Sequence, residues 1–222
     1  MEQAFISWSG GKDSCLAFYR ALQDGIKGCY LLNMASEDGH MSRSHGLSTD
    51  WLEMQAQAIG VPLVQRQTSW DDYESEFKKV LLDFKSRGVT AGVFGDIDVE
   101  EHREWVERVC SEFDLSAHLP LWEEHQDSVL REFIDVGFKA VVVATRADLL
   151  GEEWLGREID TDFMTDLASQ KGVTPCGEAG EYHTFVTDGP LFTRKIRILE
   201  AGAVSRDGHW YFDIRRCELL PK

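Results

Sequence analysis

Two short stretches concentrate the residues able to do chemistry. The first is Ser9-Gly10-Gly11-Lys12-Asp13-Ser14, where an apolar run ends and a helical pattern begins at once. Adjacent glycines let a chain turn tightly and come close to a ligand, because no Cβ intervenes. The N–H groups of such a turn, with those of the first helical residues, line a concavity that attracts anions, phosphate above all. Lys12 adds positive charge, and Ser9 and Ser14 add hydroxyl donors. Asp13 offers a carboxylate, either to a magnesium ion or to the start of the helix. The phosphate loop of kinases and GTPases is excluded. It needs Gly-x-x-x-x-Gly-Lys-Ser/Thr, whereas Ile6 stands at its first glycine and Asp13 follows Lys12.

The second stretch is Gly177-Glu178-Ala179-Gly180-Glu181-Tyr182-His183-Thr184. Its pattern fits neither helix nor strand, and irregular loops on rigid scaffolds often carry function. Carboxylates at Glu178 and Glu181, three positions apart, suit a magnesium ion, an ammonium group or general-base work. Gly177 and Gly180 beside them suit a ligand approached by backbone. The plainer alternative is a structural loop in which Glu178 caps a neighbouring helix. Asp96 and Asp98, after a short strand, are only second-tier candidates for a metal, with helix capping the better reading of Asp98. Among the histidines, His45 lies on a polar loop where it would meet a substrate, and His183 adjoins the two-glutamate loop. His102, His118, His125 and His209 read as surface or packing residues, and no His/Cys set has transition-metal spacing.

These stretches need a scaffold, and the chain supplies strands alternating with helices. Residues 4–8 read as a buried strand, with Cys15, Phe18, Tyr19 and Leu22 on one face of the helix that follows. Further strands are expected at 27–34, 61–64, 90–94 and 138–145. Helices are expected at about 50–60, opened by Asp50 with Glu53 three residues on, and at 72–87, 99–113 and 127–136. This alternation implies a doubly wound α/β fold with a mainly parallel sheet. Ligands then bind beyond the strands' carboxyl ends, where strand order reverses. The loops at 9–14, 34–47 and 95–98 share that rim, which puts Met34 and Gly95 beside any nucleotide. The pattern changes near residue 147. The expected division is therefore residues 1–146 as the nucleotide-binding domain and 147–222 as a small α+β substrate-binding appendage. The appendage ends in a short helix at 161–169 and a hairpin of residues 196–200 and 209–214.

Composition narrows the function classes. The chain of 222 residues carries 23 Lys+Arg against 39 Asp+Glu, a net charge of −16. A nucleic-acid binder generally shows a basic stripe. The only basic clusters are Arg194-Lys195-x-Arg197 and Arg215-Arg216, so a nucleic-acid partner is not expected. No stretch approaches the roughly 18 apolar residues of a membrane helix. The chain enters its first strand without a basic and apolar leader, which points to a cytoplasmic location. Five cysteines without Cys-x-x-Cys spacing suggest neither a disulfide framework nor a zinc site. The sequence leaves a homodimer open.

The string at residues 9–14 resembles the pyrophosphate loop of the N-type ATP pyrophosphatases, enzymes of the HUP-like class. With Trp154-Leu-Gly-Arg-Glu-Ile159 and Pro175-Cys-Gly-Glu-Ala-Gly-Glu-Tyr182 in this order, nearly the whole chain resembles the diphthine–ammonia ligase family. The resemblance implies an ATP- and Mg2+-dependent ligase. A carboxylate, that of diphthine on elongation factor 2 or a related small carboxylate, is adenylated, and ammonia then displaces AMP. It further implies that Ser9, Gly10, Gly11, Lys12, Asp13 and Ser14 hold the ATP phosphates and magnesium. By the same resemblance Glu178 and Glu181 would sit in the substrate or ammonia region; Gly177, Gly180 and Tyr182 beside them, and His45 from its place on the rim loop, are the other expected substrate contacts. One position departs from the pattern: Ala179 replaces a glycine, which is disfavoured if that residue takes positive φ. A transfer-RNA-modifying enzyme with the same loop, or an ATP sensor without turnover, are the competing readings. The absence of paired cysteines and of a basic groove weighs against the former. The glutamate loop weighs against the latter.

Overall fold

A computed structural model describes residues 2–43 and 46–222. β1 (Gln3–Ser7) forms the middle of a five-stranded sheet. Its side chains alternate: Ala4 and Ile6 enter one hydrophobic core and Phe5 the other, as a strand covered on both faces requires. The chain continues through α1 (Lys12–Gln23), β2 (Lys27–Ala35), α2 (Thr49–Ile59), β3 (Leu63–Gln67) and α3 (Tyr73–Ser86). It then passes through β4 (Ala91–Val93), α4 (Glu100–Ser111) and β5 (Ser116–His118). All neighbours are parallel, in the order β3-β2-β1-β4-β5. Strand order reverses at β1, so the crevice beyond the carboxyl ends of β1 and β4 is the place for a ligand. Under the other face, Phe5 meets Phe84 at 5.5 Å and Phe94 edge-on at 5.7 Å, which fixes α3 against β1 and β4.

A second sheet follows α5 (Gln126–Asp135). It contains β6 (Lys139–Arg146), β7 (Tyr182–Asp188), β8 (Arg194–Arg206) and β9 (His209–Pro221), antiparallel in the order β7-β6-β9-β8. Between β6 and β7 lie the short α6 (Thr161–Leu167) and the irregular loop at 168–181. β6 was expected with the parallel strands, and it belongs to the second sheet. Its unbroken apolar run signals burial on both faces, but burial does not reveal which strands lie alongside. The strands of the closing hairpin are 13 residues each, longer than their apolar cores implied. Asp207 and Gly208 join them with φ of 49° and 74°, the two positive values of a type I′ turn. β5 is a three-residue strand that its sequence, Ser-Ala-His, does not announce.

The two sheets share one hydrophobic core. Ile6, Leu16 and Phe18 from the first half belong to the same buried cluster as Val142, Tyr182 and Phe185 from the second. β7 is also tied to the turn after β1: the Val186 N–H donates to the Gly10 carbonyl at 3.0 Å. α2 is capped two residues earlier than its expected capping box. Ser48 is the N-cap, its hydroxyl accepting from the Asp50 N–H at 3.3 Å, and Asp50 lies inside the helix.

Candidate functional site

Beyond the carboxyl ends of β1, β2 and β4, a single cavity takes side chains from both halves of the chain. Ser9, Lys12, Asp13, Ser14, Met34 and Gly95 line it from the first half, and Gly177, Glu178, Gly180 and Tyr182 from the second. Gly10, Gly11 and Glu181 are not on its wall. His45 lies outside the described residues.

The turn at 9–11 is built from below. Gly10 has φ of 78°, and a Cβ there would lie 2.4 Å from Leu52 Cδ2 and 2.6 Å from Gln55 Oε1. Gln55, fully buried in α2, donates to the carbonyls of Gly10 at 2.9 Å and Val186 at 2.7 Å. It accepts from the Trp8 indole N–H at 3.0 Å. Gly10 therefore shapes the turn from behind. Two of the turn's amides are already engaged within the protein: Gly11 N–H with Ser9 Oγ at 3.3 Å, and Lys12 N–H with Thr184 Oγ1 at 3.0 Å. The anion-attracting groups at the helix start are thus the first-turn amides of Asp13 and Ser14, which have no acceptor within the helix, with Lys12. The two hydroxyls are bonded internally here, Ser14 Oγ donating to the Gly11 carbonyl at 3.1 Å and Ser9 Oγ lying 3.2 Å from Ser14 Oγ. Gly95 lets the loop after β4 press on this helix start. A Cβ on it would sit 2.9 Å from both the Asp13 carbonyl carbon and the Ser14 nitrogen.

Lys12 is 3% exposed. Its ammonium group donates to Asp13 Oδ2 at 2.9 Å and to the Cys176 carbonyl, and it stands 5.1 Å from the centre of the Tyr182 ring. Burial alone would lower its pKa, but the Asp13 carboxylate and the polar groups of Tyr182 and Cys176 hold it above the ordinary value. Burial raises the Asp13 carboxyl against the pull of Lys12. Asp13 Oδ1 is buried and has no partner among the described residues. Asp13 is not the N-cap; that position falls to Gly11.

The loop carrying Glu178 is held in place by neighbours. Gln126 accepts from the Cys176 N–H at 2.9 Å and donates to Asp98 at 2.6 Å. Asp98 therefore anchors this loop through Gln126; α4 is capped by Val99 without a side-chain bond. The Glu178 N–H donates to Thr174 Oγ1 at 3.0 Å. Burial pushes the Glu178 carboxyl up to about 7, the charges of Asp13, Asp98 and Asp96 adding to the effect and Lys12 opposing it. A carboxyl poised near neutrality beside a cavity suits proton transfer. Glu181 is different: 1% exposed, it turns inward, and its Oε1 accepts from the Thr174 N–H at 2.8 Å. Ala179 is exposed and has no positive φ; Gly177 and Gly180 take those angles, 72° and 78°. The replaced glycine is therefore not one the turn depends on.

Trp154-Leu-Gly-Arg-Glu-Ile159 stays away from the cavity wall. Trp154 packs edge-on to Phe163 at 5.5 Å, Phe163 packs on Tyr182 at 5.4 Å, and Arg157 covers Trp154 at 4.5 Å. This segment props Tyr182, whose hydroxyl donates to the Pro175 carbonyl at 2.6 Å.

Several cavity residues escaped the sequence reading. Asn33 lies between Leu32 and Met34, buried, with its Nδ2 donating to the Trp8 carbonyl at 2.8 Å and to Ser42 Oγ at 3.0 Å. An asparagine inside an apolar strand run is the signal that marks it. Tyr73 also lines the cavity, as do Cys176, His183 and Thr184 of the stretches the sequence singled out. Burial and the nearby Lys12 push the His183 imidazole down to about 4, leaving it uncharged at neutral pH. His102, read as a surface residue, also lines the cavity, with Nδ1 3.1 Å from Asp96 Oδ1. The hydrogen bond to Asp96 raises its pKa.

Among the described residues no three His, Cys, Asp or Glu side chains gather into a ready-made metal site. A magnesium ion bound with a triphosphate needs only one or two protein carboxylates, the phosphates and water completing its shell. The unpartnered Asp13 Oδ1 has the chemistry for that role. No helix among the described residues is long and apolar enough to cross a membrane.

Comparison with known proteins gives the family. Residues 2–117 match the diphthamide synthase N-terminal domain and residues 125–220 the diphthamide synthase C-terminal domain. The chain is 28% identical over 222 residues to the diphthine–ammonia ligase of Mus musculus, covering 88% of this chain and 82% of that one. It is 30% identical over 218 residues to the diphthine–ammonia ligase of Danio rerio, covering 86% and 84%. Among solved structures, a protein described as a predicted subunit of tRNA methyltransferase from Methanocaldococcus jannaschii aligns over 85% of this chain and 98% of its own, with a TM-score of 0.47 and 14% identity, too distant a likeness to bear on function. With two consecutive domain matches spanning both sheets and the cavity between them, the chain belongs to the diphthamide synthase family.

Proposed function

We propose that the protein is an ATP-dependent ligase that adenylates a carboxylate and transfers ammonia to it, releasing pyrophosphate and AMP. The acceptor is the carboxylate of diphthine on elongation factor 2, as the names of the curated relatives suggest. The single observation that carries this reading is the meeting of Lys12 and Asp13 with Glu178 in one cavity.

The chemistry accounts for the parts. A carboxylate is a poor acyl donor because oxide does not leave; adenylation turns the leaving group into AMP. Charge accumulating on the departing pyrophosphate is met by the first-turn amides of α1 and the Lys12 ammonium. Lys12 is held rigidly by Asp13 and the Cys176 carbonyl, so little reorganisation is needed as the charge develops. Asp13 would hold Mg2+, which supplies further neutralisation of the phosphates. Met34 and Gly95 wall the nucleotide side. Glu178, with a pKa near neutrality, binds ammonium and takes a proton from it. Glu181 shapes the loop through Thr174, and the region from residue 147 onward supplies the substrate side.

The test is direct. The protein is incubated with ATP and ammonium, with and without diphthine-bearing elongation factor 2, while AMP and pyrophosphate are followed. AMP formation that depends on both the factor and ammonium is the expected result. AMP formation that depends on transfer RNA, or ATP held without turnover, would overturn the reading.

A further inference from the structure

Proton counting leaves one role in the amidation unfilled, and this inference rests on the ligase reading above. At neutral pH the nitrogen donor arrives as ammonium. It must lose one proton to expose its lone pair, then form the C–N bond as the C–O bond to AMP breaks and the electron pair leaves with AMP. The nitrogen must then lose a second proton. The balance is acyl-AMP plus NH4+ giving amide plus AMP plus two protons, so two acceptors are needed. Glu178 is one.

We infer that His102, oriented by Asp96, is the second proton acceptor of the amidation step. His102 and Asp96 line the same cavity as Glu178 and Lys12, and Nδ1 of His102 lies 3.1 Å from Asp96 Oδ1. A carboxylate on Nδ1 favours the tautomer that carries its lone pair on Nε2, and it compensates the imidazolium formed when a proton is taken up. The pair comes from two elements: Asp96 from the loop after β4, and His102 from the first turn of α4. The charged groups acting on the imidazole are Asp96, Glu178 from the opposite loop and Glu101 from its own helix. All are acidic, and all strengthen it as a base. Among the described residues neither side chain has another hydrogen-bond or ion-pair partner: α4 takes no side-chain cap, and His102 is exposed at the cavity edge.

The experiment separates the two half-reactions in the full-length protein. Exchange of labelled pyrophosphate into ATP, with diphthine-bearing elongation factor 2 and no ammonium, reports adenylation. Amide formation with ammonium reports both steps. In His102→Gln the ratio of amide formation to exchange should fall by about 100-fold, the range of one general base, and by less in Asp96→Asn. The ammonium-dependent pH profile of His102→Gln should also lose one ionisation. An unchanged ratio, or both half-reactions falling together, would overturn the inference. Failure of the wild-type protein to exchange pyrophosphate would instead bring down the ligase reading itself. Titration of the ring protons by NMR checks the pair apart from turnover: the His102 pKa should drop in Asp96→Asn, and an unchanged value would overturn the pairing.

Discussion

The side-chain amide of Gln55 donates to the Gly10 carbonyl at 2.9 Å, from a position in α2 with no exposed surface. The same amide donates to the Val186 carbonyl and accepts from Trp8. One residue thus joins the end of β1, the phosphate-facing turn and β7 of the second sheet. In Gln55→Leu the Gly10 carbonyl keeps its bond from the Val186 N–H. The Trp8 indole N–H and the Val186 carbonyl lose theirs while still buried. Two stranded polar groups should cost about 2–5 kcal/mol. Urea unfolding measures this, and a change within about 0.5 kcal/mol, as for an ordinary surface substitution, would mean the bonds carry no structural load.

Gly10→Ala strains the same junction from the other side. The residue takes φ of 78°, and the new Cβ would press on Leu52 and Gln55, neither free to move in the core. Destabilisation of about 2 kcal/mol or more is expected from the backbone angle and the overlap together. The upward shift of Tm that ATP confers should shrink as well. Calorimetry with and without ATP reads both, and an intact ATP-induced shift would separate the turn from nucleotide binding.

Parts of this site were legible in the sequence for physical reasons, and parts were not. Ser9 to Ser14 stood out because adjacent glycines, a lysine and a change from apolar run to helical period coincide there. Glu178 and Glu181 could not be told apart: three positions separate them, yet Glu181 abuts β7 and turns into the core while Glu178 faces the cavity. The bond from Lys12 to Cys176 is made to a backbone carbonyl, so no side-chain type announces it. Asp96 and His102 meet across a loop–helix joint, a spacing that belongs to no repeating pattern. The direction of β6 was hidden likewise, since an apolar run records burial and not the identity of the neighbouring strand.

Ala179→Gly tests whether the departure from the family pattern matters. Ala179 is exposed and free of positive φ, so restoring glycine relieves no strain and takes away no buried side chain. Stability should change by less than about 1 kcal/mol, the loss coming from added chain freedom when unfolded. Amide formation should stay within about twofold, equivalent to about 0.4 kcal/mol in the barrier. A large gain in amidation rate would show that the loop is tuned for a different acceptor.

Glu178→Gln makes the strongest pH-dependent case. The carboxyl titrates at about 7 in the folded protein against an ordinary 4.5. Between those values the folded state binds more protons than the unfolded one, so stability contributed by this group falls as pH rises. It is fully present below about 4.5 and lost above about 7. A glutamine keeps the shape without the charge, so the variant's stability curve should be flatter across that window, with the variant the more stable above it. Activity should move the opposite way. The proton acceptor must be ionised, so the wild-type ammonium-dependent rate should climb through about pH 7, and the variant should be slower by about 100-fold or more. Parallel urea unfolding and rate measurements across that range decide the matter. A variant that gained stability without losing rate would make Glu178 a burdened structural residue, whereas loss of rate with a flattened stability curve ties its burial to proton transfer.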